Sequence, residues 1–217
     1  MTEVWDDEER NWVAWHDWYD EPGSVLSRRL IVVQQRIREA LDAAPAGPVR
    51  VLSMCAGQGR DLLGVLPDHP RGPDVRAILV ELDPQNAATA RETAHTTGLG
   101  GITVHTADAG STTPYRDVVP VHVALVCGVF GNITDAAIQH TIAELPGLCA
   151  PGATVIWTRH RRDPDLTPTI RTWFADNGFT ELAFDGEDDS WMGVGSHRLT
   201  GPARPYGQDI RLFSFVR

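Results

Sequence analysis

The chain has 217 residues, 42% of them hydrophobic, and a formal net charge of −10, which suits one α/β domain with a sizeable core and no linker or low-complexity tract. That negative field repels phosphate backbones, so no nucleic acid partner is expected and a small-molecule substrate fits better. All nineteen basic residues are arginine, which removes lysine Schiff-base chemistry, the P-loop lysine and any Tyr/Lys proton relay.

The N-terminus, MTEVWDDEERNW, is acidic and lacks a basic segment followed by an apolar run. No stretch approaches the ~18 apolar residues of a membrane span. Cys55, Cys127 and Cys149 are odd in number and fall in no CxxC or zinc spacing. The expectation is a cytoplasmic protein with reduced thiols, no bound metal and no membrane association.

Residues 1–46 read as an N-terminal helical cap on a core of 47–217. Trp12, Trp15 and Trp18 with Tyr19 recur every three or four residues. Such a stripe usually packs into a core, although its rings would also suit a lid over a cationic ligand. In SVLSRRLIVVQQRIREAL the positions Leu26, Leu30, Val33, Ile37 and Leu41 keep helical spacing, Ser24 is the N-cap, and PAGP stops the helix.

From residue 49 strands alternate with helices. VRVLSM (49–54) is a strand leading through two glycines into a helix over Arg60–Leu66. DVRAILVEL (74–82) reads as a strand buried on both faces. A helix over 84–98, a strand over 102–108, a buried strand over 121–130, a helix over 134–145, a strand over 153–160 and a helix over 165–178 follow. The final part holds three strand-like pieces, FTELAF (179–184), WMGVGSHRL (191–199) and DIRLFSFVR (209–217). This order predicts an α/β fold, a doubly wound, mostly parallel sheet with an antiparallel edge in a three-layer α/β/α arrangement.

The loop after the first strand carries the functional signal. Gly57 and Gly59 let a ligand approach the backbone, and the following helix start offers free N–H groups and a positive dipole end. About twenty residues on, Glu81 ends the second strand, where a carboxylate can accept hydrogen bonds from two ribose hydroxyls. Asp108, near the end of the third, can accept from an adenine amino group while the Ala109 N–H donates to a ring nitrogen. A nucleoside with an acidic tail is the expected ligand. The third glycine of G-x-G-x-x-G is replaced by Leu62, which disfavours a nicotinamide cofactor.

With SMCAGQGRD (53–61), ELDP (81–84), ADAG (107–110) and CGVFGNI (127–133) in register, the chain resembles the class I S-adenosylmethionine-dependent methyltransferases. The resemblance implies methyl transfer from S-adenosylmethionine, with S-adenosylhomocysteine as product, on a seven-stranded sheet. Its last hairpin would pair FTELAF with a strand near DIRLFSFVR, leaving WMGVGSHRL as part of that hairpin or an insertion. Cofactor contacts are implied for Ser53, Ala56, Gly57, Gly59, Asp61, Glu81, Leu82, Asp108, Ala109, Cys127 and Gly128. Many members of the family carry an acid at the position of Ser53 and a glycine at that of Cys55, and Asp61 could substitute for that acid. CGVFGNI is not the [DNS]PP[YFW] signature of amino-group methylation.

His160, just past the fifth strand, is a candidate to take a proton from the acceptor, and Tyr19 is a second catalytic candidate. Trp18, Phe130, Asn132 and Arg159 are assigned to the substrate. Arg159, Arg161 and Arg162 form a basic knot that would suit a carboxylate or phosphate. His197 is a further histidine for the same cleft. Two other readings of the whole chain are a non-catalytic methyltransferase-like nucleoside-binding module and an NAD(P)-dependent oxidoreductase.

Overall fold

A computed structural model describes residues 19–21, 23–186 and 192–216, so the tryptophan stripe at Trp12, Trp15 and Trp18 lies outside the described residues. The elements in chain order are α1 (Val25–Asp42), β1 (Val49–Met54), α2 (Arg60–Leu63), β2 (Val75–Glu81), α3 (Pro84–Thr96), β3 (Ile102–Thr106), β4 (Val121–Val126), α4 (Asp135–Glu144), β5 (Cys149–His160), α5 (Thr167–Asp176), β6 (Phe179–Asp185) and β7 (Met192–Leu199). Seven strands form one sheet in the order β3-β2-β1-β4-β5-β7-β6. Strands β1 to β5 run parallel, and β7 is antiparallel to both β5 and β6.

Alternation within the apolar strands explains the layers. Val49 and Val51 of β1 join Ala77 and Leu79 of β2 in a core shared with Val33, Ile37 and Leu41 of α1. Leu52 and Met54 face the opposite way, into a core with Ile138 and Ile142 of α4 and Ile170 and Phe174 of α5. The central strands β1, β2 and β4 must therefore be apolar on both faces, which is why they read as nearly continuous hydrophobic runs. Helix α1 begins as the sequence predicts, with the Ser24 hydroxyl accepting from Ser27 N–H at 3.0 Å.

Two expectations are corrected. The helix predicted over Arg60–Leu66 ends at Leu63 and is followed by a 3-10 turn, Leu66–Asp68, that holds Pro67. More consequentially, the hairpin partner of FTELAF is WMGVGSHRL, whose residues Met192–Leu199 form β7 between β5 and β6. Its small residues decide this. A Cβ on Gly195 would lie 2.3 Å from Trp157 Cε2, so the glycine makes room for the largest fully buried side chain in the core. DIRLFSFVR joins no strand. It crosses the carboxyl edge of the sheet as a strap whose backbone bonds go to loops, Thr112 N–H to Ile210 O at 3.0 Å, Leu212 N–H to Gly110 O at 2.7 Å and Val216 N–H to Asn132 O at 2.9 Å.

His197 does not enter the cleft. On β7 it is 1% exposed, accepts from Trp157 Nε1–H at 3.1 Å and stacks on Phe174 at 4.4 Å. Burial lowers its pKa to about 4, with the Arg171 charge also lowering it and Glu181 opposing. A depressed histidine leaves the fold at full stability above pH 6.5 and weakens it as pH falls from 6.5 to about 4, where the unfolded chain binds the proton first. The loss is about 3 kcal/mol. His197→Gln keeps an acceptor for Trp157 and removes the titration, so its melting temperature should fall by roughly 6–12 °C less than that of the parent between pH 7 and pH 4. Parallel melting curves across that range check it.

Candidate active site

The carboxyl ends of the central strands open on a cavity of about 590 Å³, walled by α1 on one side and by Phe213, Ser214 and Phe215 of the strap on another. That volume lies in the ordinary range for small-molecule sites. The loop after β1 turns back sharply because Cys55, Gly57 and Gly59 all have positive φ, at 51°, 55° and 71°. For Cys55 the left-handed backbone costs about 1–2 kcal/mol, which is why a glycine would be the easier residue there. Gly59 is needed for packing, since a Cβ on it would lie 2.8 Å from Leu63 Cδ1 and 2.9 Å from Leu79 Cδ2.

Glu81 at the end of β2 ties this loop to the next. Gly57 N–H donates to its Oε2 at 2.8 Å and Asp83 N–H to its Oε1 at 2.8 Å, so the carboxylate is oriented while each oxygen keeps a lone pair for the cavity. Leu82, next to it, is 64% exposed and offers an apolar face in the same wall. After β3, Asp108 accepts from Gly110 N–H at 2.8 Å and from Arg211 Nη1–H of the strap at 2.5 Å. Burial pushes its carboxyl up, but the Arg211 bond, the Gly110 N–H and the Arg211 charge outweigh it and hold the pKa below the usual carboxylate range. Tyr115 donates its hydroxyl to Ala109 O and fixes the backbone there. Across the cavity, Gly128 N–H donates to Thr158 Oγ1 at 2.8 Å, and a Cβ on Gly128 would meet nothing within 4 Å. This open space is a cradle a side chain would partly fill.

At the α1 end a cation and an anion face the cavity together. Arg29, 8% exposed, donates to the Tyr19 hydroxyl. The Tyr19 ring sits between the guanidinium groups of Arg29 and Arg60, at 5.6 Å and 5.8 Å. Arg60 in turn forks onto Asp20 at 2.6 Å and 2.9 Å. Asp61 accepts from Leu62 N–H at 2.7 Å. Burial raises the Asp61 pKa, with the Leu62 N–H and the Arg29 charge opposing. Burial likewise raises the Tyr19 pKa, against the lowering effect of Arg29, so its phenol keeps its proton at neutral pH and does not act as a base.

The β5 end is basic. Arg159, His160 and Arg162 line the cavity beside Gly131 and Asn132. Burial lowers the His160 pKa, and the Arg159 and Arg162 charges lower it further against Asp165. The imidazole is therefore neutral at pH 7. Its Nδ1 is enclosed without a hydrogen-bond partner. Burial also lowers the Arg159 pKa, against Asp135 and Asp165.

Residues 24–178 match a family model described as "Putative methyltransferase". The chain belongs to this methyltransferase family. Solved methyltransferases share its fold. An O-methyltransferase family protein from Burkholderia thailandensis is 18% identical with a TM-score of 0.63, covering 91% of this chain and 60% of its own. Magnesium protoporphyrin IX methyltransferase from Synechocystis, solved with S-adenosylmethionine bound, is 13% identical with a TM-score of 0.57, covering 89% and 99%. A possible exported protein from Bordetella parapertussis is 16% identical with a TM-score of 0.63, covering 80% and 68%. The chain thus spans only about three fifths of the Burkholderia protein's length. A search of curated proteins found no match in sequence.

The cavity gathers Tyr19, Ala56, Gly57, Asp61, Glu81, Leu82, Asp108, Ala109, Cys127, Gly128, Asn132, Arg159 and His160 of the residues the sequence singled out. Three others lie elsewhere. Ser53 is 1% exposed inside β1, between Leu79 and Leu125 of the neighbouring strands. Gly59 sits under the loop against Leu63 and Leu79. Phe130 is fully buried between Trp157 at 5.9 Å and Phe174 at 6.4 Å, because the chain after β4 turns its aromatic side chain into the core. Trp18 lies outside the described residues. Among the described residues, no group of three or more His, Cys, Asp or Glu side chains could hold a metal ion, and no helix is long and apolar enough to cross a membrane.

Arg29 is a charged residue of the cavity wall that sequence reading missed. The signal was present, since an arginine falls on the same helical stripe as Leu26 and Val33, three and four residues away. A charge on a buried stripe asks for a partner or a ligand. The strap residues Phe213 and Phe215 carried no such signal.

Proposed function

We propose that this chain binds S-adenosylmethionine and transfers its methyl group to a small-molecule acceptor. The observation that carries the reading is the presence of Arg29 and Asp61 in the same cavity as Glu81 and Asp108. An amino-acid tail has one carboxylate and one ammonium group, and Arg29 and Asp61 complement them in turn. Glu81 would hold the ribose hydroxyls, Asp108 and the Ala109 N–H the adenine edge, with Leu82 against the base and Gly128 leaving the space a bulky nucleoside needs. A dinucleotide fits less well, because Asp61 places a carboxylate where a pyrophosphate would approach the helix start. When bound, the cofactor supplies an electrophilic methyl group on a sulfonium.

The chain's own part is alignment and proton handling. In-line displacement gains most from holding the acceptor atom against the methyl carbon, and the cavity walls of α1, the strap and the end of β5 provide that enclosure. A neutral His160 takes a proton from an acceptor O–H or N–H where there is one. The thiols of Cys55, Cys127 and Cys149, all pushed up by burial, take no nucleophilic role, and we carry forward a cytoplasmic location for them. Calorimetric titration with S-adenosylhomocysteine, S-adenosylmethionine and NAD tests the cofactor, and binding of NAD alone would overturn it. Arg29→Met should weaken S-adenosylhomocysteine binding by about 10- to 100-fold through the loss of charge-assisted hydrogen bonds. Retention of full affinity would remove Arg29 from the cofactor site.

A further inference from the structure

We infer that the methyl acceptor is an apolar molecule bearing an anionic group, which Arg159 and Arg162 receive. This rests on the methyltransferase reading of the same cavity and adds the substrate class. Carboxylates are confined to one part of the cavity, where Arg29 and Arg60 accompany them. The acids in its wall, Asp61, Glu81, Asp83 and Asp108, lie at or just past the carboxyl ends of β1, β2 and β3, whereas the β5 end contributes Arg159, His160 and Arg162 and, among the described residues, no carboxylate.

Two acids act on Arg159, and neither lines the cavity. Asp165 accepts from Thr167 N–H at 2.9 Å and Thr167 Oγ1–H at 2.7 Å and meets Arg161 Nε at 3.2 Å. Asp135 stands 3.8 Å from Arg159 Nη2. Arg159 is incompletely satisfied. Its side chain is 11% exposed, one terminal nitrogen donates to Phe130 O, and its Nε is buried with no acceptor. A guanidinium so enclosed, with its neutralisation incomplete, favours an anion nearby.

Met192 of β7 pairs with His160 at the basic end, and Leu26 and Leu30 of α1 and Phe215 of the strap add apolar surface to the same cavity. An acceptor that fits both parts has a hydrocarbon or ring body and an acidic substituent. A cationic acceptor such as a polyamine is opposed by the two arginines, and further opposed by the sulfonium charge of the cofactor. The anion here is a recognition group, and the methyl-accepting atom is a separate O–H or N–H within reach of His160. In the balanced step the acceptor heteroatom forms a bond to the methyl carbon, the carbon–sulfur bond breaks with its electron pair leaving on sulfur, and the heteroatom's proton goes to His160.

The test reads binding. Protein saturated with S-adenosylhomocysteine is titrated calorimetrically with 4-hydroxybenzoate, 3-(4-hydroxyphenyl)propanoate, anthranilate and 4-hydroxyphenyl phosphate, and with the carboxamides of the three carboxylic acids. At least one acid should bind ten times more tightly than its amide, or the phosphate should bind where no amide does. Carboxylate and phosphate arms separate the two anion types. Arg162→Gln and Arg159→Gln should each cut the acid's affinity about tenfold and narrow its advantage over the amide, with S-adenosylhomocysteine affinity unchanged. Arg162 is on the surface, so that variant decides the matter even where Arg159→Gln fails to fold. Equal binding of acids and amides, no binding by any acid, or an acid preference that survives Arg162→Gln overturns the inference and leaves the cofactor reading standing. Failure of S-adenosylhomocysteine itself to bind overturns both.

Discussion

Glu81→Ala should weaken S-adenosylhomocysteine binding by at least about 100-fold, because each hydrogen bond to a charged group contributes about 1.5–3 kcal/mol and tenfold in affinity corresponds to about 1.4 kcal/mol. The residue acts twice. Its oxygens hold Gly57 N–H and Asp83 N–H at 2.8 Å each, so its removal loosens both loops as well as deleting the ribose acceptor. The fold should survive, since Glu81 is only partly buried at the end of β2 and belongs to neither core. In a melting experiment, ligand at ~100 times its dissociation constant adds about 2.7 kcal/mol and should raise the parent's melting temperature by roughly 5–10 °C. The variant should show no rise at the same concentration. An affinity within threefold of the parent's would remove Glu81 from the nucleoside site.

Gly110→Ala should unseat the C-terminal strap. A Cβ there would lie 2.2 Å from the backbone oxygen of Phe213, an atom that cannot rotate away, and Leu212 N–H donates to Gly110 O at 2.7 Å across the same contact. Further bonds hold the segment and the residues just before it, among them Thr112 Oγ1–H donating to Gly207 O at 2.9 Å, the Tyr206 hydroxyl to Thr112 O at 2.8 Å and Thr141 Oγ1–H to Leu212 O at 3.1 Å. Either these break or the loop after β3 shifts. Overpacking of this kind costs about 3 kcal/mol, and the melting temperature should drop by roughly 6–12 °C. Limited proteolysis should cut the variant after residue 200 faster than the parent. Gly100→Ala is the control, because nothing lies within 4 Å of a Cβ there, and its effect should stay within about 0.5 kcal/mol. A Gly110→Ala protein that melts with the control would show the strap to be loosely held.

The strap also links the two halves of the cavity. Arg211 reaches Asp108 after β3, Val216 N–H donates to Asn132 O after β4, and Phe213 and Phe215 between them pack at 5.8 Å.

The sequence by itself determined the element order as far as residue 178 and the loops that line one wall of the cavity. Apolar runs closed by acids or glycines are local statements, so VRVLSM, the glycine loop and the acid ending DVRAILVEL could be read without knowing what lies across the sheet. The same holds for Ser24, whose capping bond spans three residues. Only the tertiary structure decided which C-terminal segment becomes β7. WMGVGSHRL and DIRLFSFVR both alternate, and the choice turns on Gly195 leaving room for Trp157, 38 positions earlier in the chain. It also decided that Phe130 and His197 belong to the core, and that Arg29 of α1, Arg159 of β5 and Phe215 of the strap share one cavity. Those directions depend on packing between elements far apart in sequence, and a side chain at a strand end or in a loop carries no local periodicity to announce which way it points.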